Sequence, residues 1–201
     1  GLNLLLSQLE LSVDRVITSE IEHNSVFLST IEFAKKHGIE RVILPREADG
    51  SVNLDNDFSR SLVVMNATSN IDGRELKNVA ALVKKIKKQG GFVIIDAAQT
   101  LGSNFELLQK VPADAIISSA HKMYSASLGI MLVRKDFAKF VKSTFVGGGM
   151  VANVAADSYQ MLDGDHIHSL FEPGLQAWGE IIALRSAIDW LKKVKKKSQI
   201  A

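Results

Sequence analysis

With 201 residues, 46% of them hydrophobic and 23% charged, the chain is long enough for one compact domain with a sizeable core, or one domain and part of another. Its 24 basic and 22 acidic residues leave a net charge of +2, which gives no reason to expect nucleic acid or an anionic membrane as the main partner. The absence of cysteine removes disulfides, cysteine-ligated metal and thiol chemistry from these residues; it is compatible with a reducing cytoplasm, the expected location, and no metal site is expected.

Near the N-terminus, Leu2, Leu5, Leu6 and Leu9 recur at helical spacing. They lack the basic lead-in and cleavage pattern of a signal peptide, and no apolar run reaches the roughly 20 residues that span a bilayer. The chain has no initiating Met and opens in what reads as the middle of a helix, so the expectation is a fragment or a processed chain. Residues 14–18 (DRVIT) predict a strand, and 24–37 a helix closed by Gly38. Residues 40–45 (ERVILP) predict the next strand, followed by a polar stretch over 46–60 with the turn signal Asp49-Gly50. Residues 61–67 (SLVVMNA) read as a strand running into the polar loop Thr68-Ser69-Asn70-Ile71-Asp72-Gly73.

A helix over about 74–89 should turn Leu76, Val79, Ala80, Val83 and Ile86 inward and its lysines mostly outward, with Gly90-Gly91 as the stop. Residues 92–95 (FVII), 115–118 (AIIS) and 130–133 (IMLV) are near-continuous apolar strands, the pattern expected where both sheet faces are covered. A last helix over about 174–193 should bury Leu175, Trp178, Ile181, Ile182, Leu184, Ile188 and Leu191, and the lysines of 192–197 read as its solvated end. The alternation predicts an α/β fold: a mostly parallel sheet flanked by helices on both faces.

In such sheets ligands bind beyond the carboxyl ends of the strands, so polar residues directly after strands are the candidates. These are Glu22 and His23, then Thr68, Ser69 and Asn70, then Asp96 and Gln99, then Ser119, His121 and Lys122. Each has a plainer explanation alone: Asp96 as a cap, Lys122 as a solvated surface residue, His23 as a structural histidine, Asn70 as a turn former. Gly147-Gly148-Gly149 is no dinucleotide fingerprint, because it does not open a helix after a strand. The set is more specific than its members. Pyridoxal 5'-phosphate needs a lysine amine, a carboxylate that keeps the ring nitrogen protonated, a donor to the phenolic oxygen, a flat group over the ring, and hydroxyl or imidazole groups for its phosphate. Lys122, Asp96, Gln99, Asn70, His23, Ser119 and His121 offer one residue type per task.

Four stretches resemble, in order and spacing, the class V aminotransferase family of pyridoxal-phosphate fold type I, and within it the cysteine desulfurases and selenocysteine lyases. They are Glu22-His23-Asn24-Ser25, Thr68-Ser69-Asn70-Ile71-Asp72-Gly73, Asp96-Ala97-Ala98-Gln99 and Ser118-Ser119-Ala120-His121-Lys122-Met123-Tyr124. Gly147-Gly148-Gly149-Met150 and Phe171-Glu172-Pro173-Gly174 resemble later landmarks of the branch that includes selenocysteine lyases. The resemblance implies that residues 1–201 form the cofactor-binding large domain, without the small C-terminal domain and the phosphate-binding turn ahead of Gly1. It implies that Lys122 holds the cofactor as a Schiff base and moves protons, and that Asp96 pairs with the pyridinium nitrogen. His23 would stack on the ring and act as acid or base, Gln99 and Asn70 would contact the phenolic oxygen side, and Ser119 and His121 would bind the phosphate.

The implied reaction is sulfur or selenium release from L-cysteine or L-selenocysteine by a homodimer, with a sulfur-acceptor protein as partner. An epimerase or other lyase of the same family, or a non-catalytic dimeric relative with a degenerate site, are the alternatives. Three departures bear on the choice: Ala120 where the family has glycine, Ser125-Ala126 where it has Gly-Pro, and Leu175 where it has a threonine that reaches the partner subunit's phosphate site. Without cysteine, these residues cannot themselves carry a persulfide.

Overall fold

The computed structural model describes residues 1–105, 110–162, 168 and 171–198. In chain order the helices are α1 (Leu2–Gln8), α2 (Asn24–His37), α3 (Val79–Lys88), α4 (Lys135–Ala138) and α5 (Trp178–Ser198). The strands are β1 (Arg15–Ser19), β2 (Glu40–Leu44), β3 (Ser61–Asn66), β4 (Phe92–Asp96), β5 (Ala115–Ser119), β6 (Gly129–Val133), β7 (Val151–Val154) and β8 (Tyr159–Met161). Six of them form one sheet in the order β2-β1-β3-β4-β5-β6. The first five are parallel, and β6 runs antiparallel to β5. The predicted mostly parallel sheet between helices is therefore the observed architecture.

The central strands are apolar without alternation because both their faces are covered. Val63, Met65, Val93 and Ile95 face one core, which α3 closes with Val79, Leu82, Val83 and Ile86 and against which Leu184, Ile188 and Leu191 of α5 pack. Leu62, Val64 and Ile94 face the other, closed by Leu2, Leu5, Leu6 and Leu9 from the N-terminal segment, by Val26 and Phe33 of α2 and by Phe137 of α4. Helix α2 stops where Gly38 takes the left-handed conformation (φ 62°).

Four expectations need correction. Helix α3 begins at Val79 rather than near residue 74, because Asn78 is committed to Val52: its amide donates to the Val52 carbonyl and its carbonyl oxygen accepts from the Val52 N–H. Ala80 then faces solvent and Leu82 takes the predicted inward place. Strand β6 is an edge strand with one flank open, so Leu132 is 55% exposed rather than covered. In the last helix, Leu184, Ile188 and Leu191 pack as expected, whereas Leu175 precedes the helix and, with Trp178 and Ile182, stands in solvent. Helix α4 and the β7–β8 hairpin were not anticipated.

Candidate functional site

The chain builds the sheet outward from β1 to β2, then crosses back to lay β3 on the other side of β1. This is a topological switch point, and crevices at the carboxyl ends of strands beside it are where open α/β sheets take ligands. A cleft of about 360 Å³ lies at that edge, and all seven predicted residues line it: His23, Asn70, Asp96, Gln99, Ser119, His121 and Lys122. Gly1, Ser25, Asn66, Thr68 and Gly129 share the lining.

Asp96 is the last residue of β4 and only 7% exposed. Its Oδ1 accepts from the Ala98 N–H at 2.9 Å. Burial raises its pKa, while the Ala98 N–H and the nearby charges of His23 and Lys122 pull it back down. A buried carboxylate thus lies within electrostatic reach of both an imidazole and an amine.

Lys122 sits on a single 3-10 turn, Ala120–Met123, directly after β5. The turn is pinned by the Ala120 N–H to the Leu128 carbonyl and closed by Tyr124 in the left-handed conformation (φ 62°). From the far side the backbone of Gly102 presses on it: a Cβ there would lie 2.6 Å from the Lys122 carbonyl oxygen. Ser119 and His121 point at each other, with Oγ and Nδ1 2.8 Å apart. His23 caps α2, its Nδ1 accepting from the Ser25 N–H at 3.1 Å. Asn70 is at the exposed tip of a loop tied by the Ser69 N–H to the Arg74 carbonyl. Thr68 and Thr100 share a hydroxyl contact of 2.9 Å at the cleft wall. Among the described residues, the side chains of Asn70, Gln99 and Lys122 make no hydrogen bond, so their polar ends are available to a ligand.

Ala120 is fully buried, and neither Ala120 nor Ser125 has positive φ, so neither position demands glycine. The Ser125 hydroxyl is buried without a partner. Leu175 is 90% exposed. Sequence reasoning missed Asn66 and Arg46. The signal for Asn66 was an amide inside an apolar strand; Arg46 lay unmarked in a polar stretch.

Fold and site together define the aminotransferase class-V family, which matches residues 1–200, and the chain belongs to it. Among similar proteins, a probable cysteine desulfurase of Pyrococcus abyssi is 27% identical over 187 residues, which are 90% of this chain and 46% of that one. A molybdenum cofactor sulfurase of Aedes aegypti is 32% identical over 166 residues, 78% of this chain and 21% of that one. The solved apo structure of the cysteine desulfurase from Thermococcus onnurineus superposes with a TM-score of 0.86 at 26% identity, covering 96% of this chain and 50% of that one. A cysteine desulfurase structure from Escherichia coli has the same fold, with a TM-score of 0.84 at 22% identity, covering 95% of this chain and 49% of that one. The chain therefore spans about half the length of these desulfurases.

Proposed function

We propose that the chain is the pyridoxal 5'-phosphate-binding core of a cysteine desulfurase-like enzyme acting on L-cysteine or L-selenocysteine. The observation that carries the reading is the single cleft in which the buried Asp96 carboxylate feels the charges of Lys122 and His23. The donor set fits the cofactor: an unbonded amine, a buried carboxylate, two unbonded amides and a hydroxyl–imidazole pair line a volume suited to a small molecule. When bound, the cofactor supplies an electron sink for a substrate carbanion.

The chain's own groups do the rest. Lys122 Nζ would be the amine that anchors the cofactor and the group placed to move a proton to and from substrate. Asp96 holds a proton on the ring nitrogen, and its burial strengthens that pairing. His23, fixed at the N-terminus of α2, covers the ring and exchanges a proton with substrate. Ser119 and His121 take the phosphate, and Gln99 and Asn70 orient the phenolic oxygen. With no cysteine in these residues, a thiol that accepts sulfur must come from elsewhere in the protein or from an acceptor protein. The exposed Leu175, Trp178 and Ile182 support a homodimer. We assign the protein to the cytoplasm on the same reading.

A degenerate, non-catalytic site is less well supported, because Ala120 and Ser125 occupy backbone conformations open to any residue. The test is reconstitution of the full protein with pyridoxal phosphate, followed by borohydride reduction and peptide mass mapping. A visible band and a cofactor mass on Lys122 are expected, both lost in Lys122→Ala; a reduced adduct elsewhere, or none, rejects the assignment. Release of sulfide from L-cysteine, or selenide from L-selenocysteine, then separates this activity from an epimerase or another lyase.

A further inference from the structure

Behind the cleft lies an ion pair with no part in the roles above. The side chains of Glu22 and Arg46 are both fully buried, with Arg46 Nη2 3.5 Å from Glu22 Oε1. Glu22 Oε1 also accepts from Ser19 Oγ, and Oε2 accepts from the Asn66 N–H at 2.7 Å. Arg46 donates to Ser19 Oγ at 2.9 Å, to the Gly50 carbonyl at 3.0 Å, and to both the carbonyl and Oδ1 of Asn66 at 2.9 Å. Asn66 returns a bond through Nδ2 to the Ile21 carbonyl at 2.6 Å.

Asn66 lines the cleft and is the cross-strand neighbour of Asp96, and the next N–H, of Ala67, donates to the Asp96 carbonyl. Glu22 immediately precedes His23. One buried network therefore joins the segment that delivers His23 to the strand end beside Asp96. Burying two charges is costly, so stability alone does not account for the pair.

We propose that Glu22 and Arg46 form a positioning pair for the cleft: they hold the His23 segment against the end of β3 and cancel charge behind Asp96. Arg46 also feels the charges of Asp72 and Arg74, Glu22 that of Asp96, and Asp96 those of His23 and Lys122. Above about pH 7, where Glu22 is ionised, Glu22→Gln leaves the Arg46 cation, which cannot deprotonate, without its counter-charge. Added positive potential disfavours protonated groups nearby.

The test uses Glu22→Gln, Arg46→Met and the double variant of the full protein. Only its spectral arm rests on the pyridoxal phosphate reading. In the cofactor-free protein, amide exchange over residues 19–23 and 66–68 should rise about tenfold in each single variant, with α3 unchanged. In protein loaded with pyridoxal phosphate, the pH at which the visible band titrates should fall by about half to one unit in Glu22→Gln. It should return close to the wild-type value in the double variant, whose site is neutral again. A purely structural role would leave that pH unmoved. Unchanged exchange, or a band that titrates as wild type in Glu22→Gln, overturns the proposal. If wild type takes up no pyridoxal phosphate, the functional reading fails and the exchange experiment alone decides the pair's holding role. Should Arg46→Met not fold, Glu22→Gln and the double variant, which bury no unpaired carboxylate, decide both arms.

Discussion

Burial pushes the Glu22 carboxyl up to about 7, against the pull of Ser19, Arg46 and Asn66, all of which favour its ionised form. In the unfolded chain it returns to its ordinary value near 4.5. A carboxyl whose pKa is raised by folding contributes stability below the unfolded value, and that contribution is lost as pH rises through the folded value. Urea unfolding across pH 4.5 to 7 should therefore contain a component in which stability falls with pH, by up to about 1.4 kcal/mol per pH unit. Glu22→Gln should abolish that component. Asp96, also raised by burial, adds a component of the same sign that Asp96→Asn removes. The cleft residues were legible in sequence because each lies within a few residues of the end of an apolar run. Arg46 was not, because its role comes from contacts 20 and more residues apart, which no local pattern records; Asn66 showed only as an amide inside an apolar strand, without its partners.

The elements carry the cleft through backbone fit as much as through side chains. Gly102 lets one turn approach the carbonyl of Lys122, and the same position occupied by alanine would place a Cβ 2.6 Å from that oxygen. Gly102→Ala should cost about 1–3 kcal/mol of stability by denaturant titration and lower the fraction of cofactor reducible onto Lys122. Substituting Gly73, around which a Cβ meets nothing within 4 Å, should leave that fraction unchanged even though its φ of 74° strains any side chain. Tyr124 is different: its left-handed backbone is unfavourable, yet its ring meets Trp190 edge-on at 5.2 Å between centroids. Strands β1 to β5 and helix α2 could be read from apolar runs and stop signals to within a residue or so. The late start of α3 could not, because it depends on Asn78 bridging to Val52. The hairpin β7–β8 escaped because its strands are short, largely exposed and lack an alternating pattern.

At the scale of the whole molecule, the central strands are covered on both faces, while the stretch leading into and along α5 is not. Leu175, Trp178, Ile182 and Trp190 are 90%, 55%, 66% and 49% exposed, an apolar surface of the kind that normally meets another. Periodicity placed Leu175, Trp178 and Ile182 on the helix's inward stripe, without Trp190, and gave no sign of what covers them. Residues 1–201 expressed alone should bind a hydrophobic dye strongly, and replacing Leu175, Trp178 and Ile182 with glutamine should reduce that binding without changing far-ultraviolet circular dichroism. The strand order has a further consequence, for synthesis. A ribosome delivers β1 and β2 first, and their parallel pairing leaves one edge of β1 with unsatisfied N–H and C=O groups until β3 arrives from beyond the polar stretch. The sheet face that α3 covers cannot be sealed before α3 and β4 have followed. The nascent chain is thus obliged to wait half-built and adhesive, so early arrest products should be protease-sensitive and chaperone-bound, and arrest after β4 has left the exit tunnel should release them.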